Sequence, residues 1–325
     1  MANARPVVWL LTDNKPGHSN QLKGLGHRLR VLAGAKLYWI DASAARVPLW
    51  RALLASPPPL CSEPALPHPD LVIAAGSGTH RLLLSLRRLR RTKTLVLMKP
   101  GFPLSWISGA VIPVHDRVQP APSILVTKGV INAITPMAKI TDRQQALILI
   151  GGPSPHFAWD NEAIADQVSG LISLYPGWHW TIGSSRRTPK SLQERLDELA
   201  GPRITIVHPQ QTHENWLSHQ LAASRAVWVT PDSMSMVCEA ATSGVPAGLL
   251  ELTGQPGSRV AAGVGQLVKD GHIADRRNHS DVMAGKTGQN GALWEADRAA
   301  RWVIQQGLLP PAPDAHQSQH RGTRP

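Results

Sequence analysis

The chain has 325 residues, 42% of them hydrophobic, with 34 Lys and Arg against 22 Asp and Glu and a formal net charge of +12. That length suits two domains with separate cores, and the charge favours anionic partners: nucleotides, nucleic acid or acidic lipid surfaces. No apolar run approaches the roughly 20 residues a membrane-crossing helix needs, and the short apolar stretch Val7 to Leu11 is too brief for the core of a signal peptide.

Pro6 to Asp13 is almost wholly apolar, which predicts a parallel strand buried on both faces. A polar turn follows, Asn14-Lys15-Pro16-Gly17-His18, and then a helix over Ser19 to Leu32 with Leu22, Leu25 and Leu29 on one face. Lys36 to Ile40 is the second predicted strand, and the Pro-rich stretch Pro57 to Pro69 reads as a loop. Asp70 to Ala75 is the third strand, running into Gly76-Ser77-Gly78-Thr79 and a helix over Thr79 to Arg91. Thr94 to Met98, Gly109 to Val114 and Ser123 to Thr127 complete the series, the second of them ending at His115-Asp116.

The pattern then restarts. Gln145 to Ile150 predicts a strand ending in Gly151-Gly152-Pro153-Ser154, followed by a helix over Asn161 to Leu174. Trp178 to Ile182 is a strand, Ser184-Ser185-Arg186-Arg187-Thr188-Pro189 its loop, and Leu192, Leu196 and Leu199 the buried stripe of the next helix. Ile204 to Val207 is a strand and Asn215 to Ser224 a helix. Arg225 to Thr230 is a strand, Asp232 or Ser233 caps a helix over Ser233 to Thr242, Gly244 ends it, and Pro246 to Leu250 is the last strand. Ala292 to Gln306 predicts a final helix, and the Pro-, His- and Arg-rich residues 309–325 are expected to be a disordered tail. Alternating strands and helices argue an α/β fold with parallel sheets. The break near residues 130–144 divides it into an N-terminal Rossmann-like domain, 1–138, and a C-terminal one, 139–308.

Chemistry concentrates in loops at the carboxyl ends of predicted strands, where open α/β sheets bind ligands. Arg186 and Arg187 offer guanidinium forks for phosphate oxygens, with Ser185 and Thr188 beside them. Gly151 and Gly152 allow backbone amides to approach an anion. Lys15-Pro16-Gly17-His18 sets an imidazole at a helix start. Gly76-Ser77 and His115-Asp116 end two further strands. Taken singly, each stretch is equally a cap, a tight turn or a surface cluster. The sequence has no Asp-x-Asp, no His-Glu-x-x-His, no Cys pair and no phosphate-binding Gly-Lys-Ser/Thr loop. Cys61 and Cys238 make no disulfide framework, so a reducing cytosol is the expected compartment. Thr79 to Lys93 combines Leu82, Leu83, Leu86 and Leu89 with six Arg or Lys residues, a pattern that suits a helix packed on its sheet or one resting on an anionic membrane.

Four stretches, Leu11 to Gln21, Leu149 to Ser154, Ser185 to Pro189 and Val229 to Ala240, resemble in order the "elongated mitochondria" fission-protein family over residues 7–306. Bacterial members of that family are described as glycosyltransferases and, in older usage, as nucleoside-diphosphate-sugar epimerases. The resemblance implies a GT-B-like arrangement of two Rossmann-like domains facing each other across a cleft. It also implies a donor site in the C-terminal domain: Gly152, Ser154, Ser185, Arg186, Arg187, Thr188, Asp232, Ser233 and Ser235 around the diphosphate and base, and Glu239 on the ribose. The loop ending at His18 is similar in placement to the His-ending glycine-rich loop of the glycosyltransferase that makes the peptidoglycan lipid precursor, without that loop's fuller glycine run.

The resulting expectation is a metal-independent glycosyltransferase whose substrate is a nucleotide-sugar, with no separate cofactor. The acceptor is a lipid-linked or envelope glycan at the cytoplasmic membrane face, and its hydroxyl loses a proton to His18 or Asp13. Lys15, Gly17, Gly76, Ser77, His115 and Asp116 form the acceptor side. Partners are the nucleotide-sugar and an anionic membrane surface; nucleic acid is not expected, as no helix-turn-helix, RRM or zinc pattern is present. The alternatives are a non-hydrolysing sugar-nucleotide epimerase and a non-enzymatic membrane-associated organiser.

Overall fold

The computed structural model describes residues 5–59, 66–286 and 291–310. The chain forms two compact units, each with one all-parallel sheet. Of the described residues, the first comprises those up to Thr127, Ile131–Ala133 and those from Ala296 on; the second comprises Lys128–Val130 and those from Ile134 to Glu295.

In the first unit, strands β1 (Val7–Thr12), β2 (Lys36–Asp41), β3 (Leu71–Ala75), β4 (Lys93–Leu97), β5 (Gly109–Pro113) and β6 (Ile124–Thr127) lie in the order β2-β1-β3-β4-β5-β6. In the second, β7 (Gln145–Ile150), β8 (His179–Ser184), β9 (Ile204–Val207), β10 (Ala226–Val229) and β11 (Ala247–Leu249) lie in the order β11-β10-β7-β8-β9. The central strands are apolar throughout and buried on both faces, as parallel strands covered by helices must be. The expected α/β class with two Rossmann-like units is therefore present.

These orders matter for function. Strand succession reverses direction between β1 and β3 in the first sheet and between β7 and β10 in the second. At such a reversal the following loops leave toward opposite faces and open a crevice at the carboxyl edge.

Several boundaries differ from expectation, for identifiable reasons. Helix α1 runs Pro16–Ala33, so the polar turn is its first turn: Pro16 occupies the first helical position, where a missing N–H costs nothing. The helix after β3 is short. A 3-10 turn, Ser77–Thr79, leads into α3 (His80–Leu86), and the basic residues expected on a longer helix fall in the turns beyond it. Helix α2 (Leu49–Leu54) had no readable signature, because six residues are too few to show a helical period. Helices α4 (Asn161–Leu174), α5 (Lys190–Asp197), α6 (Trp216–Ala223) and α7 (Met234–Ser243) follow the expected pattern, whereas α8 (Arg259–Lys269) and α9 (His279–Met283) lie in a stretch that carried no assignment.

The last helix, α10 (Glu295–Gln305), was assigned to the second domain, but from Ala296 it belongs to the first unit. Its Asp297 accepts from Arg28 of α1 at 2.9 Å (Nε) and 2.5 Å (Nη2), and Trp302 and Leu308 lie against Gly109 of β5. Periodicity shows that a helix has an apolar face but not which sheet covers it. Leu309, expected to start the tail, is fully buried, while residues 311–325 and Cys61 lie outside the described residues.

Candidate functional site

The β1–β3 reversal brings together His18, Asp13 and the Gly76 turn. Asp13 follows β1 directly. The loop is braced around it: the Asn14 amide donates to Thr12 Oγ1 at 3.0 Å, Asn14 takes the left-handed conformation (φ 61°) that asparagine tolerates, and its side chain donates to Asp41 at 2.8 Å. His18 stands on the first turn of α1, and its Nδ1 lies 2.8 and 3.0 Å from the two oxygens of Asp13. The side chains are 21% and 8% exposed, so the pair is sheltered yet reachable. When the carboxylate at Nδ1 takes the ring's N–H, the lone pair is on Nε2, which can then act as a base.

Gly76 closes the other wall. Its φ of 86° is one that side chains rarely adopt, and a Cβ there would lie 2.1 Å from His18 Nδ1; a Cβ on Gly78 would lie 2.9 Å from that of Asp13. Thr79 Oγ1 donates to the Gly76 carbonyl at 2.7 Å and fixes the turn. His80 is held below the usual histidine range, first by burial and then by the nearby His18, with Asp13 opposing, and its ring meets Phe102 edge-on. Ser77, Lys15 and Gly17 are exposed around this core. His115 and Asp116 end β5, separated from β3 by β4, and Asp116 accepts from the Lys99 amide at 3.4 Å. The group held against His18 Nδ1 is Asp13. Met98, after β4, has φ 69° and its sulfur accepts from Gln21 at 3.3 Å, a strained position at the same edge that no residue pattern announces.

The β7–β10 reversal builds the second constellation. Asp232, its side chain wholly buried, accepts from Arg187 Nη2 at 2.6 Å and from the Gly152 amide at 3.1 Å. Thr230 Oγ1 accepts from the Gly151 amide at 2.8 Å. The two glycines are required by packing: a Cβ on Gly151 would sit 2.2 Å from Asp232 Oδ1, and one on Gly152 would sit 2.1 Å from the Arg187 carbonyl. Ser185 Oγ donates to the Gly151 carbonyl at 2.9 Å, and Thr188 Oγ1 donates to the Ile150 carbonyl at 3.1 Å.

The expected donor residues thus divide into two groups. Arg187, Asp232, Ser185 and Thr188 brace one another and the Gly151-Gly152 turn, with Arg187 also donating to the Gly152 and Pro153 carbonyls. They are a frame, and the second guanidinium expected on a diphosphate is instead tied to Asp232. Ser154 accepts from the His156 amide at 3.3 Å within its own turn. Ser233, not Asp232, caps α7, accepting from the Met236 amide at 3.5 Å; Ser235 and Glu239 lie half-buried farther along that helix. Arg186 is exposed, on the rim of a hollow of about 620 Å³ lined by Ser184, Ser185, His213, Trp216, Leu217 and Met236, among others.

Trp216 and His213 were not singled out from the sequence. The signal was Gly183 inside β8: a Cβ there would lie 2.6 Å from the Trp216 ring, and a glycine within a strand commonly marks such a close approach. Among the described residues, no helix is long and apolar enough to cross a membrane.

Comparison with known proteins agrees with this architecture. A Rickettsia prowazekii (strain Madrid E) protein named Uncharacterized protein RP120 is 24% identical over 225 residues, which are 55% of this chain and 63% of that protein. The chain therefore spans just under two thirds of the curated relative it matches. A Listeria monocytogenes protein described as a candidate UDP-N-acetylglucosamine 2-epimerase superposes with a TM-score of 0.60, at 12% identity, covering 94% of this chain and 97% of that one. The UDP-GlcNAc 2-epimerase of Methanocaldococcus jannaschii gives 0.54 at 13% identity, covering 93% and 100%. At these identities the likeness is one of fold, the paired Rossmann-like units of GT-B enzymes. Residues 16–306 match the model of the family described as Mitochondrial fission ELM1. The resemblance carried by the four sequence motifs holds over most of the chain, which belongs to the Mitochondrial fission ELM1 family.

Proposed function

We propose that this protein is a glycosyltransferase of GT-B type that takes a nucleotide-sugar donor and a hydroxyl acceptor, the acceptor being lipid-linked or part of an envelope glycan. The observation that carries the reading is the Asp13–His18 dyad held against Gly76 at the strand reversal of the first unit. His18 Nε2 takes the acceptor hydroxyl's proton while Asp13 stabilises the imidazolium that forms. The acceptor oxygen bonds to the anomeric carbon, and the bond from that carbon to the nucleoside diphosphate breaks. In the second unit, the amino end of α7 and the exposed guanidinium of Arg186 supply positive potential for the departing diphosphate. The hollow beside Trp216 suits a planar base.

A thermal-shift panel of nucleoside diphosphates and nucleotide-sugars tests this directly. A ligand at 100 times its Kd stabilises by about 2.7 kcal/mol, and Arg186→Ala is expected to weaken that shift. No response to any member of the panel would remove the proposal. The likeness to UDP-GlcNAc 2-epimerases favours a second reading, epimerisation of the donor. Mass spectrometry and NMR of the sugar-nucleotide without acceptor separate the two: only an epimerase isomerises it.

A further inference from the structure

Helix α2 is amphipathic the wrong way round for a helix serving only to cover its sheet. Ala52 is buried, while Leu49, Trp50, Leu53 and Leu54 are 57%, 51%, 51% and 66% exposed. Positions i, i+1, i+4 and i+5 share one face of a helix, so the four form one outward apolar strip. Arg87, just past α3, extends it. Its guanidinium donates to the Ala52 carbonyl and, at 2.7 Å, to the Leu53 carbonyl, closing the end of α2; it also stands 5.3 Å from the ring centroid of Trp106, itself 38% exposed. One cation thus fastens the apolar helix and a second exposed tryptophan into a single fixed surface.

The chain that builds this surface is mostly basic. Between the bordering Asp41, Asp70 and Asp116, residues 42–59 and 71–115 contain nine Lys or Arg and not one Asp or Glu. Arg88, Arg90, Arg91 and Lys93 follow Arg87 directly and are exposed. Apolar tips beside cations match the boundary of an anionic bilayer, where nearby Lys and Arg are attracted to the surface and the apolar side chains enter the headgroup layer.

We infer that the Leu49–Leu54 helix and Trp106, ringed by Arg46, Arg51, Arg88, Arg90 and Arg91, form a docking face for an anionic membrane surface. Of the two readings of Thr79 to Lys93, packing on the sheet holds for Leu82, Leu83 and Leu86, which are buried, and the apolar contacts of the docking face come from α2. A hollow of about 540 Å³, lined by Arg46, Pro48, Ser77, Gly78 and Arg81, runs from the start of α2 to the turn that backs Asp13. On the proposed transferase reading, it gives the headgroup of a lipid-borne acceptor a cationic path toward the dyad.

Co-sedimentation of the full chain with vesicles of phosphatidylcholine and phosphatidylglycerol in equal parts, against phosphatidylcholine alone, tests the docking face. The wild type is expected to pellet with the anionic vesicles, more weakly at high salt, and Trp50→Gln/Leu53→Gln/Leu54→Gln to reduce that binding by about tenfold or more. Reversing charge with Arg88→Glu/Arg90→Glu/Arg91→Glu is expected to do the same, and both variants, altered only at exposed positions, should melt like the wild type. A wild type that stays in the supernatant, or variants that pellet equally well, would overturn the inference. So would analytical ultracentrifugation showing a wild-type dimer that the Gln variant dissociates, since the face would then be a contact between copies. His18→Ala should pellet like the wild type, and the nucleotide-induced shift should persist in the Gln variant, so docking and sugar transfer can fail separately.

Discussion

Gly76 and His18 fit each other so closely that a single methyl group on the glycine would come within 2.1 Å of the imidazole Nδ1. The turn after β3 is thus the back wall of the proposed base. Gly76→Ala is expected to tilt or expel the ring, with an added backbone cost of about 1–3 kcal/mol from the positive φ. Product formation should fall to the level of His18→Ala, while nucleotide binding by the second unit stays intact. A Gly76→Ala enzyme as active as wild type would show that His18 is not the base.

Asp13→Asn separates positioning from shape. The amide keeps the volume but can present its NH₂ to Nδ1, selecting the wrong tautomer. Turnover is expected to drop by about 10²–10⁴-fold with KM for the donor unchanged. A proportional loss in donor binding would point instead to a structural role.

The Arg187–Asp232 pair makes a stability prediction. Asp232 is wholly buried and Arg187 is 45% exposed, so losing the arginine leaves a buried carboxylate without its cation. Arg187→Ala is expected to cost about 3–5 kcal/mol in denaturant titration, and Arg187→Lys to recover only part. Arg186→Ala, one residue away and on the pocket rim, is expected to leave stability near wild type and act on nucleotide affinity alone.

At the Arg28–Asp297–Arg301 clasp, burial raises the Asp297 carboxyl, but hydrogen bonds from Arg301 and Arg28 outweigh it and hold the carboxyl below its ordinary value of 3.8. The native state therefore binds the proton less readily than the unfolded chain. The clasp's contribution is present above the ordinary value and is lost as pH falls through the lowered native one. Acid titrations of wild type and Asp297→Asn should diverge at neutral pH and converge as pH falls below the ordinary carboxylate range. Parallel curves across that range would show that the clasp adds nothing.

Much of this molecule was readable in the chain because parallel sheets demand continuous apolar strands, and those of Leu71–Ala75 and Gln145–Ile150 have no other plausible use. The loops at their carboxyl ends were legible for the same reason, as was the cap at Ser233. What the chain could not disclose was the direction of side chains. Ser185 and Thr188 carry hydroxyls that suit phosphate, but in the fold they donate to backbone carbonyls. Asp13 and His18 are five residues apart, and only the start of α1 at Pro16 brings imidazole and carboxylate together. Helix α2 escaped notice because six residues show no period, and its leucines do not say in sequence whether they point inward or out.

The return of the final helix to the opening sheet has a consequence for biosynthesis. Arg28 waits for Asp297, 269 positions downstream, and the groove at Gly109 stays open until Trp302 and Leu308 arrive. During translation the second unit has all its strands out of the ribosome before the first can finish. The amino-terminal half is begun first and sealed last, so a fragment cut after residue 138 would carry a bare seam where α10 belongs.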